Sequence, residues 1–347
     1  MPRMPDAMRA AVFHGSGRPL SIEDVPRPVP GPGEALVRVA ACGFCHTDLH
    51  YLDHGVPTAK PPPLILGHEI SGVVEEIGPG GDDFPLGGPV LIPAVLPCGE
   101  CRWCRWGRGN ICPRLRMLGN HIDGGFAEHV LVPARDLIPL PKEIDLAHAA
   151  VIADALTTPY HAVVNRARVR SGDWVVVVGC GGVGVNAVQF AAAAGANVLA
   201  IDVRREKLEV ARRLGANETL DPSEHDHLGR AVRDRTAGGA DVALEVVGTP
   251  ETVLLALSTL RRGGRLCVVG YSEAEVSLPL NRLMFFEYEV VGSLGCRPVD
   301  YARVIEMVRR GRIALDPVIT GSLPLGRVNE AAEDLRRGVG LRTLVVP

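Results

Sequence analysis

Residues 171–203 read SGDWVVVVGCGGVGVNAVQFAAAAGANVLAIDV, and this stretch decides the fold. Trp174–Val178 is a continuous apolar run, the pattern of a strand buried on both faces. A glycine-rich turn follows, then a helix-like stretch of small residues, then a second apolar run ending at Asp202. Gly179, Gly181 and Gly184 make Gly-x-Gly-x-x-Gly, with Gly182 and Val183 completing the turn. Alone that pattern is only a glycine-rich turn. Between a strand and a helix it is a dinucleotide site. The first glycine allows the tight turn, the second admits a pyrophosphate, and the third lets helix and strand pack closely. The helix N-terminus offers N–H groups to the anion. Asp202, 18 residues after Gly184, can accept hydrogen bonds from a ribose 2′-hydroxyl and would repel a 2′-phosphate. NAD is therefore the expected coenzyme. Arg204 and Arg205 nearby are the residues that would favour NADP.

Outward from this unit, apolar runs recur at ADVALEVVG (240–248), GRLCVVGY (264–271) and YEVVGSL (288–294), separated by helical segments. This alternation predicts a doubly wound parallel sheet, an α/β fold. After Gly295 a helix at 299–311 and a final strand at 342–347 remain. Upstream, the stretch LAHAAVIADALTTPYHAVVNRARV (146–169) reads as helical, and before about residue 140 the texture changes. Short strand-like runs such as EALVRVAACG (34–43), with many Gly and Pro, predict a β-rich domain with long loops.

The 347 residues suffice for two domains, and the formal net charge of -3 argues against a nucleic-acid or membrane-surface role. No apolar stretch approaches a membrane span, and MPRMPDAMRAAVF (1–13) lacks the apolar core of a signal peptide. The expectation is a cytoplasmic protein without nucleic-acid or membrane partners. Lysines are only Lys60, Lys142 and Lys207, and no tyrosine has a lysine four residues on. That removes the Tyr-x-x-x-Lys pair of short-chain dehydrogenases.

Cys98, Cys101, Cys104 and Cys112 fall in CGECRWCRWGRGNIC (98–112), spaced Cys-x2-Cys-x2-Cys-x7-Cys. Four thiolates so close close a tetrahedral zinc site with no open position, a structural role for a lobe with little core. An iron–sulfur centre is the rival; Pro113 fits it, but the last spacing does not. A second constellation joins CGFCHTDLH (42–50) to LGHE (66–69). Cys45 and His68 supply a thiolate and an imidazole for another zinc. A catalytic zinc has three protein ligands and an open position, so one is missing from this count. AAVIADALTT (149–158) carries one acid in an apolar run, Asp154. An ionised carboxylate there needs a cation or donors, which makes Asp154 a candidate ligand. The bland alternative is a helix N-cap.

Along essentially its whole length the chain resembles the zinc-containing medium-chain alcohol dehydrogenase family. The four-cysteine spacing, Gly-His-Glu, the glycine turn and its Asp occur in the family's order. The resemblance implies a GroES-like β-rich catalytic domain, residues 1–154 and 295–347, with a zinc lobe at about 95–115 and a Rossmann NAD-binding domain inserted at 155–294. It implies two zinc ions per chain. Cys45, His68 and Asp154 would hold the catalytic ion, where most alcohol-specific members have a cysteine instead of Asp154. Glu69 would be the acid that approaches the metal during ligand exchange, and Asp48 would orient His68. Thr47 would hydrogen-bond the substrate oxygen, and His50 would end the proton relay. His46 and Arg342 match coenzyme-phosphate contacts, Lys207 an adenosine-ribose contact and Thr158 a contact at the nicotinamide end.

The implied reaction moves a hydride between an alcohol and NAD, giving an aldehyde or ketone. The implied pocket includes Ala94, Met117 and Leu294. With 4% aromatic residues it reads as a wide aliphatic pocket for secondary, cyclic or bulky alcohols. ADALTTPYHAVV (153–164) also resembles the 6-hydroxycyclohex-1-ene-1-carbonyl-CoA dehydrogenase branch, whose substrate is a CoA thioester. A polyol dehydrogenase is the nearest rival, and a non-catalytic NAD-binding protein is the rival of another class. Cys45, His68 and Glu69 together disfavour a zinc-free enoyl or quinone reductase. The family assembles as homodimers or homotetramers, and FFEYEVVGSL (285–294) is a strand-like segment suited to pairing across an interface.

Overall fold

The computed structural model describes residues 6–81 and 84–347. The start of the segment read for a leader lies outside them. The chain forms two compact units. The first runs to Asp154 and resumes at Arg297–Gly311 and Leu315–Pro347; the second comprises Ala155–Cys296 and Arg312–Ala314. Among the described residues no helix is long and apolar enough to cross a membrane.

The second unit is built on a six-stranded sheet in the order Glu218–Leu220, Asn197–Ile201, Trp174–Val178, Ala240–Glu245, Leu260–Val268 and Glu289–Gly292. Every pair is parallel. Numbered along the chain, the order is 3-2-1-4-5-6, that of the doubly wound dinucleotide fold. Val175–Val178 are buried because helices cover both faces of such a sheet, which is why the run never alternates. The helix Gly182–Ala193 starts directly after the glycine turn.

The first unit is β-rich. Glu34–Phe44 is its central strand, flanked by Glu69–Ile77 and by the C-terminal strand Arg342–Val346. The chain end thus returns beside a strand formed some 300 residues earlier, pairing Thr343 with Phe44. A three-stranded sheet of Ser21–Pro26, Ala7–Phe13 and Leu64–Ile65 packs into the same core.

Two sequence readings need correction. Residues 146–169 are not one helix. His148–Ala153 is a 3-10 turn, and the chain breaks at Asp154 (φ −140°, ψ −55°). A short helix at Thr157–Tyr160 then continues through the wider turns of His161–Ala167. Residues 149–153 are buried on every side, so hydrophobic periodicity carries no mark of the break. Tyr301 fixes it from afar: its hydroxyl donates to the Ala153 carbonyl at 2.9 Å. Second, the C-terminal segment holds more than a helix and a final strand. Ile319–Pro324 runs parallel to Arg342–Val346, and a helix spans Val328–Arg336. Ile319–Pro324 contains Gly321 and ends in Pro324, so it looks like a loop in sequence and becomes a strand only through its partner.

Candidate metal centres and coenzyme site

Cys45 is the N-cap of the helix His46–Asp53. Asp48, in the first turn, accepts the Cys45 N–H at 2.9 Å, and its other oxygen accepts the Gly67 N–H at 3.2 Å. One buried carboxylate therefore ties the Cys45 turn to the Gly67–Glu69 segment. The Asp48 oxygen facing Gly67 also lies 3.7 Å from His68 Nδ1. Gly43 pairs with Glu69 across the neighbouring strand, and a Cβ at 43 would collide with the Glu69 carboxylate. The glycine makes room for an acid in the interior.

Ligand atoms of Cys45, His68, Glu69 and Asp154 all lie within 4.8 Å of one another. His68 Nε2 is 3.7 Å and Cys45 Sγ 3.9 Å from the same Asp154 oxygen. The His68 separation is too long for an N–H···O hydrogen bond, and the sulfur contact is a weak one at most. Both approach the ~3.4–3.6 Å edges of a tetrahedron with metal bonds of about 2.0–2.3 Å. Both His68 nitrogens and both Glu69 oxygens are buried without a hydrogen-bond partner. Buried polar atoms are otherwise satisfied, so this donor set fits a cation. Asp154 is not a helix N-cap: it closes the 3-10 turn, and the next helix is capped by Leu156. Its side chain is 19% exposed, whereas His68 and Glu69 are sealed, so Asp154 stands at the rim.

The cluster's titration follows from its crowding. Burial opposes the charged form of His68, but Asp154, Asp48 and Cys45 outweigh it and hold the imidazole well above its usual range. Burial pushes Glu69 up to about 7 although the Arg342 guanidinium lies beside it. Arg342 is buried, with Nε 3.3 Å from Glu69 and Nη1 donating to the Phe44 carbonyl at 2.9 Å. The sequence reading missed this pairing, because strand register alone brings Arg342 to Phe44 and Glu69.

The four-cysteine lobe is a two-stranded ribbon, Val95–Leu96 with Arg116–Met117, closed by a turn of helix at Arg102–Arg105. Its sulfurs are 3.5–3.9 Å apart along four edges: Cys98–Cys104, Cys101–Cys104, Cys101–Cys112 and Cys98–Cys112. A zinc tetrathiolate with bonds of about 2.3 Å has edges of ~3.8 Å. The Glu100 N–H draws the Cys98 thiol down to about 6, while desolvation pushes Cys104 up to about 12. Ala94 and Met117 are neighbours on this ribbon, where the Ala94 carbonyl accepts the Leu118 N–H.

In the second unit Gly179 has φ +95°, and a Cβ on Gly184 would collide with the Gly179 carbonyl. A Cβ on Gly181 would meet open space, leaving the helix N-terminus accessible there. Asp202 accepts the Cys180 N–H at 2.6 Å and the Arg204 N–H at 2.8 Å, which fixes the acid beside the turn. Lys207 is half-buried on the following helix and Arg204 and Arg205 are exposed. Thr158 is buried and Leu294 exposed in this unit, whereas His46 is exposed in the first.

Residues 31–142 match the alcohol dehydrogenase GroES-like domain model, and residues 182–310 match that of the zinc-binding dehydrogenases. An alcohol dehydrogenase of Geobacillus stearothermophilus is 33% identical over 332 residues, covering 95% of this chain and 97% of its own. The chain belongs to the zinc-containing medium-chain alcohol dehydrogenase family.

Solved structures of this dehydrogenase family share the architecture. A cobalt- and zinc-bound alcohol dehydrogenase of Pyrobaculum aerophilum superposes with a TM-score of 0.88 at 34% identity, over 98% of this chain and 100% of that one. A Sinorhizobium meliloti structure described as a zinc-binding dehydrogenase bound to NADP gives 0.89 at 32% identity, over 98% and 99%. Against that background Thr47 lies with its hydroxyl 3.8 Å from Cys45 Sγ. On the same helix, His50 Nδ1 lies 3.1 Å from Nδ1 of His54, a residue the sequence reading passed over.

Proposed function

We propose that this alcohol dehydrogenase is NAD-dependent and holds two zinc ions, one at Cys45, His68 and Asp154 and one at the four cysteines. The observation that carries the reading is the convergence of Cys45, His68, Glu69 and Asp154, with both His68 nitrogens and both Glu69 oxygens buried and lacking a hydrogen-bond partner. One thiolate and one carboxylate balance a dication, and the imidazole adds a neutral donor. Bound there, zinc supplies Lewis acidity that lowers the pKa of the alcohol; NAD supplies the hydride acceptor.

The chain's own residues do the rest. Asp48 fixes the orientation of the His68 ring. Thr47 takes up the proton of the substrate's hydroxyl as it releases its own, and His50, at the end of that relay, passes a proton toward solvent. Glu69, held by Arg342, provides a nearby carboxylate for ligand exchange. Gly179, Gly181, Gly182, Val183 and Gly184 bind the pyrophosphate with His46 and Arg342. Asp202 and Lys207 bind the adenosine ribose, and Thr158 the nicotinamide end.

Asp202 supports NAD, since a 2′-phosphate would meet its carboxylate. Arg204, Arg205 and the NADP-bound relative support the other coenzyme. Two experiments address this reading. NADH formation is expected on a panel of secondary and cyclic alcohols, with a preference for NAD that reverses toward NADP in Asp202→Ser. No alcohol-dependent NADH would leave a non-catalytic NAD-binding protein. Ala94, Met117 and Leu294 are the proposed pocket wall. Asp154 in ADALTTPYHAVV also supports the CoA-thioester branch; activity on free alcohols and none on the thioester would exclude it.

We further propose a homo-oligomer paired through Glu289–Gly292. This strand is the sheet's edge, with Val290 exposed and exposed Met284 and Phe285 on the preceding helix. An exposed edge strand is a template for another strand, although the Gly292 carbonyl here already accepts from Arg166. Val290→Lys is expected to shift the sedimentation mass to a smaller species. An unchanged mass would remove this edge from the interface.

A further inference from the structure

We propose that His54 is the outer station of the proton path, so that His50 and His54 together hand the alcohol's proton to bulk water. The proposal rests on the reading of His50 as the relay residue and extends it by one side chain.

The two histidines are four residues apart at the end of the helix His46–Asp53, which puts them on one face. Their rings tilt by 53° with centroids 5.3 Å apart, and Nδ1 faces Nδ1 at 3.1 Å. One of the two nitrogens must donate and the other accept. His50 is half-buried and His54 exposed, so the pair runs from the protein outward. Helix geometry would be satisfied by any residue at 54, since the backbone N–H at that position already closes on the His50 carbonyl.

Imidazole can take a proton at one nitrogen and release another from its second. A proton arriving at His50 Nε2 forms an N–H bond there. The Nδ1–H of His50 passes to Nδ1 of His54, and the Nε2–H of His54 leaves to water. Each bond formed is matched by one broken, and rotation of the rings resets the tautomers. Desolvation and the charge of His54 both lower the pKa of His50, so His50 gives up a proton readily. The acid adjoining His54 is Asp53, whose pKa the His54 charge lowers, but its carboxylate is already engaged. Asp53 is gripped by Arg336 of the helix Val328–Arg336 at 2.8 Å through both oxygens, and Glu333 sits on the same arginine at 3.4 Å. Tyr51 accepts from Asn120.

The test compares His54→Gln, His50→Gln and the double variant of the zinc-loaded enzyme. Single-turnover proton release is followed with an indicator dye, and kcat/KM is measured across pH with and without added imidazole. His54→Gln is expected to slow proton release about tenfold, less than the ~10²-fold of a positioned acid–base group because water partly substitutes. Added imidazole restores the rate, coenzyme KM stays put, and the double variant is no slower than His50→Gln. A second readout needs no turnover. With His54 removed, nitrogen NMR is expected to show His50 titrating at higher pH, because a like charge has gone. Unchanged proton release in His54→Gln beside a slowed His50→Gln overturns the proposal and leaves the His50 reading intact. A wild-type rate in His50→Gln overturns the relay itself.

Discussion

Asp154→Ala is expected to bind about one zinc per chain where the wild type binds about two, the closed site keeping its ion while the open site loses a ligand. Alcohol-dependent NADH formation should fall by about a thousandfold or more, the rate equivalent of ~4 kcal/mol of transition-state stabilisation. Thermal stability should change little, because Asp154 lies at the rim and not in the sealed part of the cluster. Asp154→Cys is expected to retain the second ion, since a thiolate keeps the charge. Metal analysis by mass spectrometry alongside kinetics decides the matter. Two zinc ions retained in the alanine variant would transfer the third-ligand role to Glu69, which already lies within the same cluster.

The opposite dissociation is expected at the four-cysteine lobe. Cys112→Ser should also lose one zinc, but the loss should fall on stability. Between Val95 and Met117 only Leu96, Gly109, Asn110 and Cys112 are buried, so the lobe has almost no apolar core. Its order is therefore expected to come largely from a cross-link that the four thiolates make through a cation. A loss of about 3 kcal/mol lowers the melting temperature by roughly 6–12 °C in a domain of this size. Calorimetry measures that shift, while kcat per remaining active-site zinc should stay close to wild type. An unchanged melting temperature after loss of that zinc would show that the lobe holds its shape without the ion.

Fold class was legible because two local patterns are forced by long-range circumstance. A strand covered on both faces must be apolar throughout, as Val175–Val178 are, and a helix packed against a turn must carry glycine, as Gly184 does. The four cysteines were legible because their ligands sit within 15 residues. The run 146–169 misled because its apolar residues are buried on every side, which erases the period of either helix or strand. Ile319–Pro324 was missed because its strand character comes from pairing with Arg342–Val346.

The sequence by itself determined the classes of residue at the open cluster: a thiol, an imidazole and two acids, on segments that share no local pattern. Tertiary structure decided that they converge. Strand register sets Glu69 opposite Gly43 and brings Arg342 beside it, the Asp48 carboxylate ties Cys45 to the His68 segment, and Tyr301 holds the break that turns Asp154 inward. Contacts 19, 148 and some 300 residues apart leave no periodicity in the chain, because each is fixed by packing between elements and not by the geometry within one.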